Sequence, residues 1–288
     1  MSKVDDAWIA LRSQLGRERT VTGIGILGIA LGAVCALAGL VRGFEVPPEG
    51  NIWDTATFNG ALGFFLITQA LLAPEAGFSA KSQRRWAVLL VASTLFAYGL
   101  ETVQAFRGLD PRFTQVGGTA DQILGGVFFL DALFIMVLFL VLMFGFFKSA
   151  ANPLRVAVRY AAAACLVSFG IGIWMSVIQG RVVGSEGNLL LIHAAGFHGL
   201  QAIPIVALLL RWGGTPDHEA VRRVHLAGLT WFGLCLAILW QAGSGLSPMR
   251  FTLPLALTLA LFLGWTVLAG AAARHWMLGP AAEEREGS

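Results

Sequence analysis

The sequence predicts an all-α polytopic membrane protein, with eight transmembrane helices arranged as two tandem four-helix halves. Three observations predict it. Of 288 residues, 56% are hydrophobic and only 13% charged, with a mean hydropathy of +0.72, where an ordinary soluble domain carries roughly 25% charged residues. The apolar residues come in runs of about 20 or more, the length that crosses the hydrocarbon of a bilayer. Segments of the chain also repeat at a spacing of 137 residues.

The elements follow in order. Across residues 1–20, Val4, Trp8, Leu11 and Leu15 recur at helical spacing, which predicts a cytoplasmic interfacial helix lying on the inner leaflet. Asp5, Asp6, Arg12, Arg17 and Glu18 interrupt this stretch, so it does not read as a secretory signal. Spans are expected near 21–41, 55–73, 86–106, 123–147, 156–178, 188–211, 224–243 and 252–273. They group into a first half, 21–147, and a second, 156–273, followed by a cytoplasmic tail, 274–288. Lys and Arg number 15 on the side holding the N-terminus and 5 on the other, which places both termini in the cytoplasm. The connecting loops are short, so a site for chemistry or binding must lie within the membrane or at its edge.

Other compositional signals narrow the field. Cys35, Cys165 and Cys235 lie inside apolar runs without a C-x-x-C pairing, which provides neither a disulfide framework nor a zinc knuckle. The pI near 9.0 comes from basic residues scattered over short loops, so no nucleic-acid partner is expected. The expected partners are the lipid bilayer and a small-molecule ligand, and the sequence leaves the oligomeric state open. With 17 Arg against 3 Lys and many Ala and Gly residues, the composition suits a high-GC bacterium and hence an inner membrane.

The repeat is specific. Residues 104–114 read QAFRGLDPRFT and residues 241–252 read QAGSGLSPMRFT, aligned but for one inserted residue. The same spacing maps Gly43 onto Gly180, Glu49-Gly50-Asn51 onto Glu186-Gly187-Asn188, and Arg85 onto Arg222. Gln69-Ala70 pairs with Gln201-Ala202 if a few residues are deleted from the sixth span. Halves with an even number of spans run in the same sense, and a pseudo-two-fold along the membrane normal is expected. Pro111 and Pro248 read as turn and helix-start residues. The span glutamines Gln69, Gln104, Gln201 and Gln241 read first as interhelical hydrogen-bonding groups.

What differs between the halves points to function. Glu101 on the third span and Asp131 on the fourth belong to the first half alone, and His193 and His198 on the sixth to the second alone. An ionisable side chain in hydrocarbon costs at least a few kcal/mol and is normally turned inward and paired. At 1.5 Å per residue, Glu101 and His193 lie about 8 Å, Asp131 about 12 Å and His198 about 15 Å below the outer boundary. On the sixth helix, Gln201 sits about 80° and His198 about 140° around from His193. The candidate site is therefore Glu101, Gln104, Asp131, His193, His198 and Gln201. The alternative for each is a helix-locking hydrogen bond. His218, His225 and His275, near the cytoplasmic ends, read as interfacial residues.

Two classes of function fit this set. A carboxylate facing imidazoles within a repeat-built bundle can exchange protons, which suits proton-linked transport or sensing of a small solute. The alternative is a haem- or metal-dependent membrane protein, redox or hydrolase. Glu101, His193 and His198 are the candidate ligands for a divalent metal, and one histidine could ligate a haem. Two imidazoles about 140° apart on one helix do not form an axial pair. Two four-helix halves resemble the architecture of the haem A synthase family, yet the fourth and eighth spans here hold no internal histidine. Ceramidase-like hydrolases use H-x3-H where this chain has H-x4-H. Lys3, Lys81 and Lys148 lie outside or at the margin of the spans, which excludes a buried retinal Schiff base.

The sixth span, His193-Ala-Ala-Gly-Phe-His198-Gly-Leu-Gln201-Ala-Ile-Pro204, resembles an H-x4-H-x2-Q-x2-P helix found in a group of uncharacterised bacterial multi-span integral membrane proteins. Those proteins also carry an E-x2-Q-x2-R-G segment similar to Glu101 through Gly108. The resemblance implies that Glu101, Gln104, His193, His198 and Gln201 act as one constellation, and it brings no activity with it.

Overall fold

The computed structural model describes residues 3–148 and 152–278. Among these residues the chain forms α1 (Lys3–Arg17), α2 (Arg19–Arg42), α3 (Ile52–Leu72), α4 (Ala80–Phe106) and α5 (Thr119–Phe147), then α6 (Pro153–Ile178), α7 (Leu189–Trp212), α8 (Asp217–Gly243) and α9 (Leu253–Leu278). The eight helices from α2 onward are long and apolar enough to cross a membrane. Two short antiparallel hairpins complete the fold, β1 (Glu45–Val46) with β2 (Gly50–Asn51) and β3 (Val182–Val183) with β4 (Gly187–Asn188). The tail expected from 274 continues α9 to Leu278, and the rest of it lies outside the described residues.

Four helices, α3, α4, α6 and α7, begin at a residue whose side chain accepts their first amides, whereas the starts of α2 and α8 have no side-chain cap. The Asn51 carboxamide oxygen accepts the N–H groups of Trp53 and Asp54, and that of Asn188 accepts Leu190 N–H. Ser79 and Asn152 do the same for α4 and α6, the latter with Pro153 in its first turn. These polar starts explain why helices outrun their apolar spans. Hydropathy starts the third span at 86, but α4 begins at Ala80 because its first turns carry Lys81, Arg84 and Arg85.

On α1, Val4 and Trp8 are exposed and Leu11 and Leu15 half-buried. The apolar stripe read from the sequence thus presents large hydrophobic side chains outward. Lys3 Nζ donates to the Trp276 carbonyl at 3.1 Å, and Thr22 Oγ1 to the Leu15 carbonyl at 3.1 Å.

The chain divides into two compact units, one from Ala10 to Gly145 and one from Phe146 onward that also takes in α1 up to Ile9. In the first, α2 and α3 pack with almost no side chain between them. A Cβ at Gly28 would stand 2.8 Å from the Asn59 carbonyl and 1.9 Å from the Tyr98 hydroxyl. Small residues permit such backbone approach in apolar surroundings, where contact and hydrogen bonding replace the hydrophobic drive. In the second unit Cys165 Sγ lies 3.7 Å from the Gly196 carbonyl. Cys165 and Gly196 each stand 137 residues after Gly28 and Asn59.

The same spacing governs the hairpins. Glu45 pairs with Asn51 as Val182 does with Asn188, and Val46 with Gly50 as Val183 with Gly187. Glu49 N–H donates to the Gly108 carbonyl at 2.8 Å, and Glu186 N–H to that of Gly245 at 3.2 Å. The repeated glycine of Glu-Gly-Asn has a steric cause, for a Cβ at Gly50 would lie 2.3 Å from the Ala105 carbonyl and one at Gly187 2.1 Å from that of Ala242. The 137-residue register runs into α3 and α7 without a gap. The expected pairing of Gln69 with Gln201 is therefore not positional: Gln69 matches Val206, and Gln201 matches the exposed Phe64.

Candidate functional site

The buried face of α4 carries Leu90, Ser93, Thr94, Ala97, Tyr98, Glu101, Gln104 and Ala105. Steps of three and four residues keep them on one side of the helix, so Glu101 is committed to the interior, where it is 1% exposed. Its partner arrives from the loop after α4. Arg112 donates from Nη2 to Glu101 Oε2 at 2.6 Å. The guanidinium carbon stands 5.0 Å from the centre of the Phe58 ring on α3 and 6.0 Å from that of Phe128 on α5, within cation–π range of both. Asp110 aims the loop, its Oδ1 accepting Arg112 N–H at 2.9 Å and Phe113 N–H at 3.1 Å, an Asx turn that sends the arginine back towards the bundle.

Gln104, one turn on from Glu101, belongs to a second cluster. Its amide donates to Asp121 Oδ1 at 3.0 Å, its carbonyl oxygen accepts from Arg107, and Arg107 Nη1 also meets Asp121 at 2.7 Å. Asp121 sits in the first turn of α5, where a helix dipole favours negative charge. A third contact ties hairpin to loop: Glu49 accepts Thr114 Oγ1 at 2.5 Å and Gln115 N–H at 2.8 Å. Burial works to raise the Glu49 carboxyl, but the Thr114 hydroxyl and the N–H groups of Gln115, Asp110 and Val116 outweigh it and hold the group below the usual carboxylate range.

Asp131, half-buried on α5, accepts from the Ser93 hydroxyl on α4. Ser93 precedes Glu101 by eight residues, about 12 Å along the helix, so Asp131 belongs to a separate level of this unit.

His193, His198 and Gln201 lie on α7 in the other unit. His193 faces α6, with Nδ1 2.9 Å from the Ser168 carbonyl, while Ser168 Oγ donates to the His193 carbonyl at 2.7 Å. Its ring meets Phe197 edge-on at 4.9 Å. His198 is exposed and Gln201 half-buried. The two imidazoles therefore point to different surroundings, as their angular separation on the helix requires. No group of three His, Cys, Asp or Glu side chains placed to hold a metal ion occurs among the described residues.

The second half shows what the Arg112 loop looks like without its ion pair. Ile238 stands at the position of Glu101. Gln241, equivalent to Gln104, donates to the Ser247 carbonyl at 2.7 Å and the Arg250 carbonyl at 3.1 Å, and accepts from Thr252. Arg250, the counterpart of Arg112, is exposed. Neutral hydrogen bonds to one buried glutamine thus tie this loop.

The sequence points to Glu101 and Gln104 and to Pro111 and Pro248 as turn residues, but not to Arg112, Phe58, Phe128 or the Glu49–Thr114 contact. The available signal was the coincidence of an unmatched acid, Glu101, with an arginine eleven residues on. Comparison with family models, with curated proteins and with solved structures yields no match.

Proposed function

We propose that this protein resides in a bacterial inner membrane with both termini in the cytoplasm, and transports or senses a small solute in a proton-linked manner through Glu101. The observation that carries the reading is the ion pair between Glu101, 1% exposed, and Arg112, in a fold whose other half holds the equivalent loop without buried charge. Desolvating a carboxylate costs several kcal/mol that a single ion pair seldom recovers in full, so a charge kept in one half and absent from the other argues for use rather than for folding. The excess of Lys and Arg on the N-terminal side supports the orientation, which turns the hairpins and Glu101 outward. The repeated contacts at 137 residues support an origin by duplication, after which the first half kept the acidic site. On this reading the likeness to the H-x4-H-x2-Q-x2-P proteins reflects a shared outward-facing architecture, with His193 binding α7 to α6.

The test is proton flux into liposomes containing the full chain, followed by an internal pH dye under an imposed gradient. Wild type is expected to conduct above protein-free vesicles, and Glu101→Gln to fall to their level while keeping its helical circular dichroism. Flux equal to wild type in that variant would remove Glu101 from the mechanism.

A further inference from the structure

Resting on the reading of Glu101 as the functional carboxylate, we propose that its site takes a small organic cation, a guanidinium or alkylammonium group, and that Arg112 is a built-in occupant which the ligand displaces. The surroundings of the Arg112 side chain define the chemistry. A carboxylate stands at one edge of the guanidinium, 2.6 Å away, and the faces of Phe58 and Phe128 lie 5.0 and 6.0 Å from its central carbon. The two rings meet edge to face at 5.7 Å between centroids, forming a corner rather than a flat wall. An acid at the edge and aromatic faces at the side recognise a delocalised or alkylated cation. They do not suit a bare alkali or alkaline-earth ion, which demands several oxygen ligands, and the carboxylate repels anions.

Two further features mark Arg112 as displaceable. It comes from a loop rather than a membrane helix, and its side chain remains 24% exposed while that of Glu101 is 1% exposed, so the arginine can leave towards water and the acid cannot follow. The second half shows that the loop itself needs no such anchor, because there Gln241 and Thr252 tie it and Arg250 lies outside. In the first half the loop has separate ties through Glu49 to Thr114 and Gln115, which can persist when Arg112 swings away.

The experiment is chemical rescue of Arg112→Ala and Arg112→Gln in the purified full chain. Thermal unfolding is followed in mild detergent with millimolar guanidinium chloride or tetramethylammonium chloride, against sodium chloride at equal ionic strength. Either organic cation is expected to raise the Tm of both variants saturably, by about 3 °C or more well above its dissociation constant. Wild type should respond more weakly, its site being filled, and Arg112→Ala/Glu101→Gln should not respond. A variant recovered folded only when the organic cation is present supports the proposal equally. Arg112 variants that respond no differently from the sodium control, or fail to fold and are not rescued, overturn it. If rescue fails while Glu101→Gln still abolishes proton flux, only the ligand assignment falls. If that flux is unaffected, the underlying reading falls first.

Discussion

Arg112 and Glu101 are joined at 2.6 Å across eleven residues of chain, the arginine in a loop and the acid more than a turn inside α4. The pair is unequal, because the acid is 1% exposed and the arginine side chain 24%. Removing either member takes this ion-pair partner from the other, and the penalty depends on whether the survivor can reach water.

That inequality predicts an asymmetric mutational response. Arg112→Ala leaves a carboxylate with no route to solvent, and a stability loss of about 3 kcal/mol is expected. Glu101→Ala frees an arginine that can turn outward, and a loss of about 1 kcal/mol or less from the ion pair itself is expected, beyond the cost of the cavity. Thermal unfolding of the two single variants and the double variant in one detergent gives both values and their coupling. Glu101→Gln, which fills nearly the same volume, separates out the cavity cost, and a loss in that variant equal to that of Arg112→Ala would contradict the geometry.

The Glu49 contact predicts an acid-sensitive loop. Its carboxyl is held below the ordinary value in the folded protein, so it adds stability above the unfolded value of about 4.3 and loses that contribution as pH falls through the lower folded value. Facing it from the loop are Thr114 and the N–H groups of Gln115, Asp110 and Val116. Protease cleavage within 109–118 should accelerate in wild type as pH falls below the ordinary glutamate value of about 4.3, and Glu49→Gln should cleave fast at all pH values. A Glu49→Gln profile that still follows wild type would assign the acid sensitivity to another group.

The two histidines of α7 are expected to separate cleanly. His193→Ala removes the imidazole's contacts with the Ser168 carbonyl and the Phe197 ring but keeps the main-chain carbonyl that accepts the Ser168 hydroxyl, and should destabilise by about 1–2 kcal/mol. His198→Ala, on an exposed position, should change stability by no more than about 0.5 kcal/mol. An absorption spectrum and metal analysis of both variants provide the independent check: a Soret band or stoichiometric metal lost in each alike would join the histidines in one centre.

Much of this was legible in the chain itself. Eight spans could be read because hydrocarbon thickness fixes a length of apolar chain and flanking charge marks its ends, which is why predicted and observed spans differ most where α4, after Ser79, and α8, after Pro216, start in polar sequence. The repeated Glu-Gly-Asn could be read because Gly50 and Gly187 each face a carbonyl that admits no Cβ, so the motif records a contact that both halves make.

The partner of Glu101 was not legible, for a physical reason. Helical periodicity fixes the angles between residues of one helix, and so showed that His193 and His198 diverge. It does not fix where a loop returns. That Arg112 goes inward while Arg250 stays out follows from the Asx turn at Asp110, the corner made by Phe58 and Phe128, and a carboxylate where the other half has Ile238. Local pattern and bilayer thickness sufficed to determine the helices, and the 137-residue spacing pointed to the hairpin contacts that both halves make. Only tertiary structure, which brings together groups from three helices and a loop, decided which charge is satisfied and by what.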